Sequence, residues 1–345
     1  MEAAMKLARQ YFLELSPPEP ERFRFIAREG SFHGTTAATL ALTGRQAVRR
    51  QFAPLLKDNV THVSACNPYR GLRAGETIET YVQRLATELD DEFQRVGPKT
   101  VCAFVAETVA GTALGCIPPS PGYFVAMKAV CDKYGALLIL DEVICGMGRT
   151  GTAHAWQQEG VVPDIQAVAK GLGGGYTPIA ALISGYKVVQ AIDGGTGFFN
   201  HGHTYQSHAV ACAAAVEVQN IIQQNDLIVH VANMGKRLEK GLRAALQTHP
   251  HVGDIRGRGL LWAIEFVKNK DTKEPFSPQE GISMKIRNIG LVEPFNISLW
   301  PVSGGATDSG GDHIMISPAY NISEEDIDFI VSSTSEIVKL VFAGK

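Results

Sequence analysis

The residues best suited to chemistry lie at the ends of two apolar runs. "LLILDEVICGMGRTG" delivers Asp141 and Glu142 to the end of an apolar segment, after which the chain turns through Gly146 and Gly148. "PDIQAVAKGLGGGYTPIAAL" ends a second run in Lys170 and enters a glycine-rich turn. An acid at a strand end is poised beside a ligand. An amine destined for a Schiff base must have its charge suppressed and its reach fixed, and a partly buried strand terminus among small residues supplies both. On residue types alone the acid and the lysine read equally well as a structural ion pair of the kind found in cores.

Three other patterns carry less. "GLGGGY" has the spirit of a dinucleotide loop, but such a fingerprint opens a helix, and here Pro178 and another apolar run follow. His201, His203 and His208 are close together, yet no cysteine or carboxylate has ligand spacing with them, so turn and helix-start roles suit them better than a metal. Arg256 and Arg258 in "GRGLLWAIEF" suit a carboxylate ligand or an ordinary strand that opens a domain.

The elements that must position these residues alternate in type. Apolar β-type runs at 23–27, 101–105, 137–140, 166–168 and 180–184 are separated by stretches of helical character such as 77–96 and 123–134. That alternation predicts a mainly parallel sheet covered on both faces, with chemistry at the carboxyl ends of the strands, where Glu107, Asp141 and Lys170 all fall. At the front, Met1, Met5, Ala8, Phe12 and Leu15 draw one apolar stripe on a helix ended by Pro17 and Pro18. No capping residue precedes it, a first hint of truncation. Ala-rich helices at 207–224 and 227–247 lead out of this domain. From about His251 onward a strand, helices near 282–289 and 324–341, and "HIMISPAY" predict a smaller α+β domain, with a flexible loop at "SGGATDSGGD", 303–312.

The totals exclude some classes. With 345 residues, 45% hydrophobic and 19% charged, the chain has material for about two domains. A net charge of -3 gives no electrostatic support to a nucleic-acid or acidic-membrane partner. No apolar run approaches the roughly 18 residues that span a bilayer, and the first residues lack a signal peptide's apolar block. Six scattered cysteines without C-x-x-C pairs read as buried free thiols in a reducing compartment. The expected location is the cytoplasm, unless a mitochondrial presequence lies ahead of Met1.

Four segments in chain order, "SFHGTTAATLALTG", "DEVICGMGRTG", "PDIQAVAKGLGGGYTPIAA" and "HGHTYQSHAVACAAAVE", resemble the class III, or omega-type, aminotransferases that depend on pyridoxal 5'-phosphate (PLP). The resemblance runs from Met1 to about Tyr320. It implies an α/β architecture of fold type I: a large PLP domain, 1–225, with a mainly parallel sheet between helices, and a small C-terminal α+β domain, 226–345, in a homodimer whose active sites lie at the subunit interface. By the same resemblance Lys170 is similar to the lysine that holds PLP as a Schiff base and shuttles the substrate proton. Asp141 resembles the acid paired with the pyridine nitrogen, where an opposite charge keeps the ring protonated. Phe32 matches the aromatic residue stacked on one ring face and Val143 the apolar residue on the other. His33, beside Phe32, is placed with the cofactor-binding residues, and Thr204 resembles the donor that reaches the phosphate of the neighbouring subunit's cofactor. Glu107 falls where the family carries an active-site glutamate, followed here by Thr108 where proline is common.

Family members carry a further N-terminal segment with a Gly-Ser turn just ahead of the first helix, whose donors cradle the PLP phosphate; the sequence in hand starts past that turn. The resemblance implies transamination from an amine or omega-amino acid to a 2-oxo acid, pyruvate or 2-oxoglutarate, by a ping-pong mechanism. Ile144, where some branches carry glutamine, leans toward the omega-amino-acid and pyruvate group. The alternatives are a dimerising, catalytically impaired homologue, or racemisation, aminomutation or decarboxylation on the same fold.

Overall fold

Alternation along fully apolar strands organises the first half of the chain. The strands are β1 (Arg24–Arg28), β2 (Val60–Val63), β3 (Val101–Glu107), β4 (Leu137–Asp141), β5 (Ile165–Val168) and β6 (Ala181–Ser184). They form one sheet in the order β2-β1-β3-β4-β5-β6, parallel throughout except for β6, which runs antiparallel to β5. Both faces are covered, as a parallel sheet requires. On β4, Leu138 and Leu140 join Leu85, Phe93, Phe124 and Met127 of the helices Ile78–Val96 and Tyr123–Lys133. Leu137 and Ile139, pointing the other way, join Ala8 and Phe12 of helix α1 (Glu2–Glu14) and Val188 and Ile192 of the helix Tyr186–Gly194. The short strand β2 and the helix Tyr186–Gly194 escaped the sequence reading, being brief and only partly apolar.

The computed structural model describes residues 1–307 and 310–343, with the side chains of 304–307 and 310 outside that description. The chain divides into two units. The first takes Met1–Thr108, Pro119–Met147 and His154–Ile222; the second takes Val109–Pro118, Gly148–Ala153 and Gln223–Lys345. Two strips that a linear division at 225 leaves in the first domain therefore belong to the second, drawn there by backbone groups. The carbonyls of Leu114 and Gly115 accept from Arg256 at 2.6 and 2.7 Å, and Arg149 donates to the carbonyls of Leu260 and Pro318.

The second unit holds an antiparallel sheet of β7 (Val252–Arg258), β8 (Leu261–Asn269), β9 (Glu274–Pro275), β10 (Trp300–Thr307) and β11 (Gly310–Ile316), in the order β10-β11-β8-β7 with β9 paired to β8. The helices Leu227–Leu246, Ile282–Gly290 and Glu324–Phe342 pack on it through Leu238, Leu242, Ile286, Ile327 and Val338. One expectation fails here. The glycine- and serine-rich stretch at 303–312 is the arms of a hairpin, with Ser303 opposite Asp312 and Thr307 opposite Gly310. Small residues read as a loop, but Asp312 is paired with Phe266 of β8 as well as with Ser303, so the hairpin continues from a strand already held on its other side. Only 308–309 of the expected loop lie outside the described residues.

Five of the cysteines are buried free thiols and Cys212 is exposed. Among the described residues no helix is long and apolar enough to cross a membrane.

Arg256 is buried against Glu265 at 2.5 Å and Asp254 at 3.1 Å. Glu265→Ala leaves that guanidinium buried without its main counter-charge and should cost about 3–5 kcal/mol in denaturant unfolding, whereas replacing both residues by apolar ones of similar volume should cost far less. A second expectation concerns His62 on β2, whose Nε2 lies 3.0 Å from the Leu42 carbonyl. Burial pushes its imidazole down from 6.5 to about 4. The folded state then binds fewer protons than the unfolded one between those values, so stability present above pH 6.5 is lost as pH falls toward 4, by about 3 kcal/mol. His62→Gln should flatten that slope in unfolding curves taken across the window.

Candidate active site

Because β1, β3, β4 and β5 are parallel, their carboxyl ends lie along one edge of the sheet, where open α/β sheets bind ligands. Register then decides which residues meet. Glu107 is paired with Asp141 across β3 and β4, and Asp141 with Ala167 across β4 and β5. Lys170 follows three residues after Ala167, at the end of the strand next to the one that ends in Asp141. It is exposed and has φ of 40°, a left-handed conformation that side-chain-bearing residues seldom adopt. Strain of this kind, held by surrounding structure, is characteristic of functional positions.

Asp141 is buried and both of its oxygens are engaged. Oδ1 accepts the Val143 N–H at 3.1 Å, and Oδ2 lies 2.9 Å from His33 Nδ1. A carboxylate can only accept, so Nδ1 carries the hydrogen. The His33 side chain is fully buried, and its Nε2 has no hydrogen-bond partner among the described residues. His33 thus touches the acid itself and acts on it as a positioning residue. Its loop after β1 is pinned: Ser31 Oγ donates to the Arg28 carbonyl and accepts from the Gly44 N–H, while the His33 N–H donates to Thr43 Oγ1 at 2.9 Å. Gly44 is needed there, since a Cβ would stand 2.1 Å from the Arg28 carbonyl oxygen.

Phe32 and Val143 are half-buried on the two segments that flank Asp141. Glu107 is buried. Thr204 stands apart from this group, exposed in a turn at 204–207. Two clefts of the first unit, about 730 and 490 Å³, lie along α1 and beside β6, and neither is lined by Asp141 or Lys170.

The residue that sequence reasoning undervalued is Glu142. In sequence it reads with Asp141 as an acid at the end of an apolar segment, yet it is completely buried. Its carboxyl takes four donors: Thr108 Oγ1 at 2.7 Å, the N–H of Trp156 at 2.7 Å, the N–H of Ala155 at 2.8 Å and Gln166 Nε2 at 2.8 Å. Burial pushes this carboxyl up from the usual range, against the pull of those donors. It ties the end of β3 and the body of β5 to the end of β4. Thr108, which departs from the family's proline, supplies one of the donors.

A primary amine, a carboxylate held by a buried histidine whose second nitrogen has no partner among the described residues, and a half-buried aromatic ring form a set that fits an aromatic aldehyde with a basic ring nitrogen. The sequence profile described as aminotransferase class-III matches residues 1–338. The chain belongs to the class III aminotransferases. An aminotransferase of Gibberella zeae is 55% identical over 341 residues, covering 99% of this chain and 66% of the relative. Among solved structures, a thermostable (S)-enantioselective omega-transaminase from Thermomicrobium roseum superposes with a TM-score of 0.90 at 34% identity, covering 99% of this chain and 72% of that one. The omega-transaminase of Pseudomonas jessenii in complex with PMP does so with a TM-score of 0.89 at 32% identity, covering 99% and 73%. This class III aminotransferase chain therefore spans about two thirds to three quarters of the length of these relatives. PLP is the cofactor of the family, and the fold is fold type I.

Glu142→Ala strands the buried N–H groups of Ala155 and Trp156, at about 1–3 kcal/mol each. Denaturant unfolding should show a loss of about 3 kcal/mol or more, and Thr108→Val, which removes one donor, a loss of about 1 kcal/mol.

Proposed function

We propose that this protein is a PLP-dependent transaminase that moves an amino group from an amine or omega-amino acid to a 2-oxo acid, pyruvate or 2-oxoglutarate, by a ping-pong mechanism. The observation that carries the reading is the placement of Asp141 and Lys170 at the same end of adjacent parallel strands. The omega-transaminases among its structural relatives support the choice of donor class.

When bound, PLP supplies an electron sink, its protonated ring accepting the pair left on a carbon that loses a proton. The chain's residues do the rest. Lys170 anchors the cofactor through its amine and is the base that takes the proton from the carbon bearing the amino group. Asp141 keeps a proton on the facing ring nitrogen, because an opposite charge in contact favours the cation. His33 fixes the carboxylate's direction from behind. Phe32 and Val143 serve as the two faces of the ring site, and Glu107 lies beside Asp141 as a polar neighbour. The protein works as a homodimer in which Thr204 donates its hydroxyl to the phosphate held by the second copy, and exposure of Thr204 in a single chain supports that role.

Purified protein titrated with PLP should develop the visible absorbance of lysine-bound cofactor, and Lys170→Ala should abolish it. An amine donor should then aminate pyruvate or 2-oxoglutarate, with turnover falling about 10²–10⁴-fold or more in Lys170→Ala. A band that survives that substitution, or none at any PLP concentration, overturns the assignment.

A further inference from the structure

The segment from Gly195 to His208 contains no helix or strand, so its backbone groups have no ladder of their own. Helix α1 supplies partners. Lys6, Gln10 and Glu14 recur at four-residue steps and so share one stripe of the helix. They meet the segment in reverse order. Glu14 accepts the Thr196 N–H at 2.9 Å and the Thr196 hydroxyl at 2.6 Å. Gln10 donates to the Phe198 carbonyl at 2.8 Å and accepts the Asn200 N–H at 2.8 Å. Lys6 Nζ lies 3.5 Å from His201 Nδ1. The Gln10 amide also donates to Glu14 Oε1 at 2.9 Å, so two rungs brace each other.

Two further observations mark this as a fitted contact. A Cβ on Gly195 would stand 2.0 Å from Glu14 Oε2, so the segment approaches the carboxylate as closely as only glycine permits. The donors of Thr196 and Gln10 also hold the Glu14 carboxyl below its usual range, so at neutral pH it is the acceptor the rung needs. Beyond the ladder the turn closes locally, with the N–H of Tyr205 donating to His203 Nδ1 and that of Gln206 to the His203 carbonyl. Thr204 sits three residues past the last rung.

We propose that Lys6, Gln10 and Glu14 form a positioning ladder that fixes the height of the segment 195–204 on the molecule, and thereby presents the Thr204 hydroxyl to the cofactor phosphate held by a second copy of this chain. The inference rests on the PLP reading above. In this role the three residues act through the segment they hold. A segment tethered this way delivers its hydroxyl at a fixed position, whereas a free one spends most of its time elsewhere, and the phosphate loses a donor in proportion.

The test uses the Gln10→Ala/Glu14→Ala double variant and, separately, Gly195→Ala, which displaces the carboxylate from the other side and leaves the surface of α1 intact. Backbone amide exchange over 196–204 is measured without cofactor, and each protein is titrated with PLP and with pyridoxal, which lacks the phosphate, by visible absorbance. Exchange at 196–201 should quicken, PLP should bind about tenfold more weakly, as for loss of a hydrogen bond to a charged group, and pyridoxal should bind unchanged. Thr204→Ala should give the same loss, and adding the ladder substitutions to it should cost nothing more. Unchanged exchange, equal losses for both aldehydes, or losses that add to that of Thr204→Ala overturn the ladder. If the unaltered protein binds neither aldehyde, the cofactor reading falls, and exchange alone decides the ladder: faster exchange keeps it as the device that holds this segment, and unchanged exchange removes it.

Discussion

The site depends on the parallel register of three strand ends, and that register is locked by one buried carboxylate. Glu142 draws a hydroxyl from the end of β3, a side-chain amide from β5 and two backbone N–H groups from the segment after β4 into a single acceptor. A buried charge is tolerated only when its lone pairs are filled, and here four donors fill them. The consequence reaches the neighbouring residue. Asp141 precedes Glu142 in the chain, so whatever fixes the second carboxyl also fixes the direction of the first. Lys170 gains in the same way, because Gln166 stands on the strand that ends at the lysine.

Much of this was legible in the sequence, and the exceptions have physical causes. Apolar runs at β3, β4 and β5 announce themselves because a parallel sheet covered on both faces needs continuous hydrophobic strands. Helix α1 is equally plain from the steps between Met5, Ala8 and Phe12. The short β2, with Thr61 and His62 at its centre, carries no comparable signal: its place comes from pairing with β1. The part of the β10–β11 hairpin next to its turn is rich in glycine and serine, and only its pairing shows it to be strand. Composition describes what side chains bury and is silent about backbone ladders assembled from residues distant in the chain.

At the proposed site, the candidate groups for chemistry are easier to pick from the sequence than those that orient them. Asp141 and Lys170 stood out because charged residues at the ends of apolar strands are conspicuous. The roles of Glu142 and His33 did not, since the same residue types serve as solvated termini or core histidines elsewhere. Which one a given residue is depends on a contact 108 positions away for His33 and 34 for Glu142 and Thr108. Gln10 and Glu14 show the extreme case. On sequence they are the polar side of an amphipathic helix, and nothing local marks their partners nearly two hundred residues downstream.

The arginines of β7 bear on the proposed recognition of a substrate carboxylate. A guanidinium in "GRGLLWAIEF" invites assignment as the group that reads a substrate carboxylate, and Arg256 is the buried one. It is already committed to Glu265, Asp254 and two backbone carbonyls. Turning it toward a substrate would break a buried pair, at about 3–5 kcal/mol, more than an exposed charge pair of about 0.2–1 kcal/mol returns. Recognition of the acceptor's carboxylate by Arg256 is therefore disfavoured on energetic grounds. The residue instead holds Leu114 and Gly115 against β7 within the second unit, which makes it part of the framework.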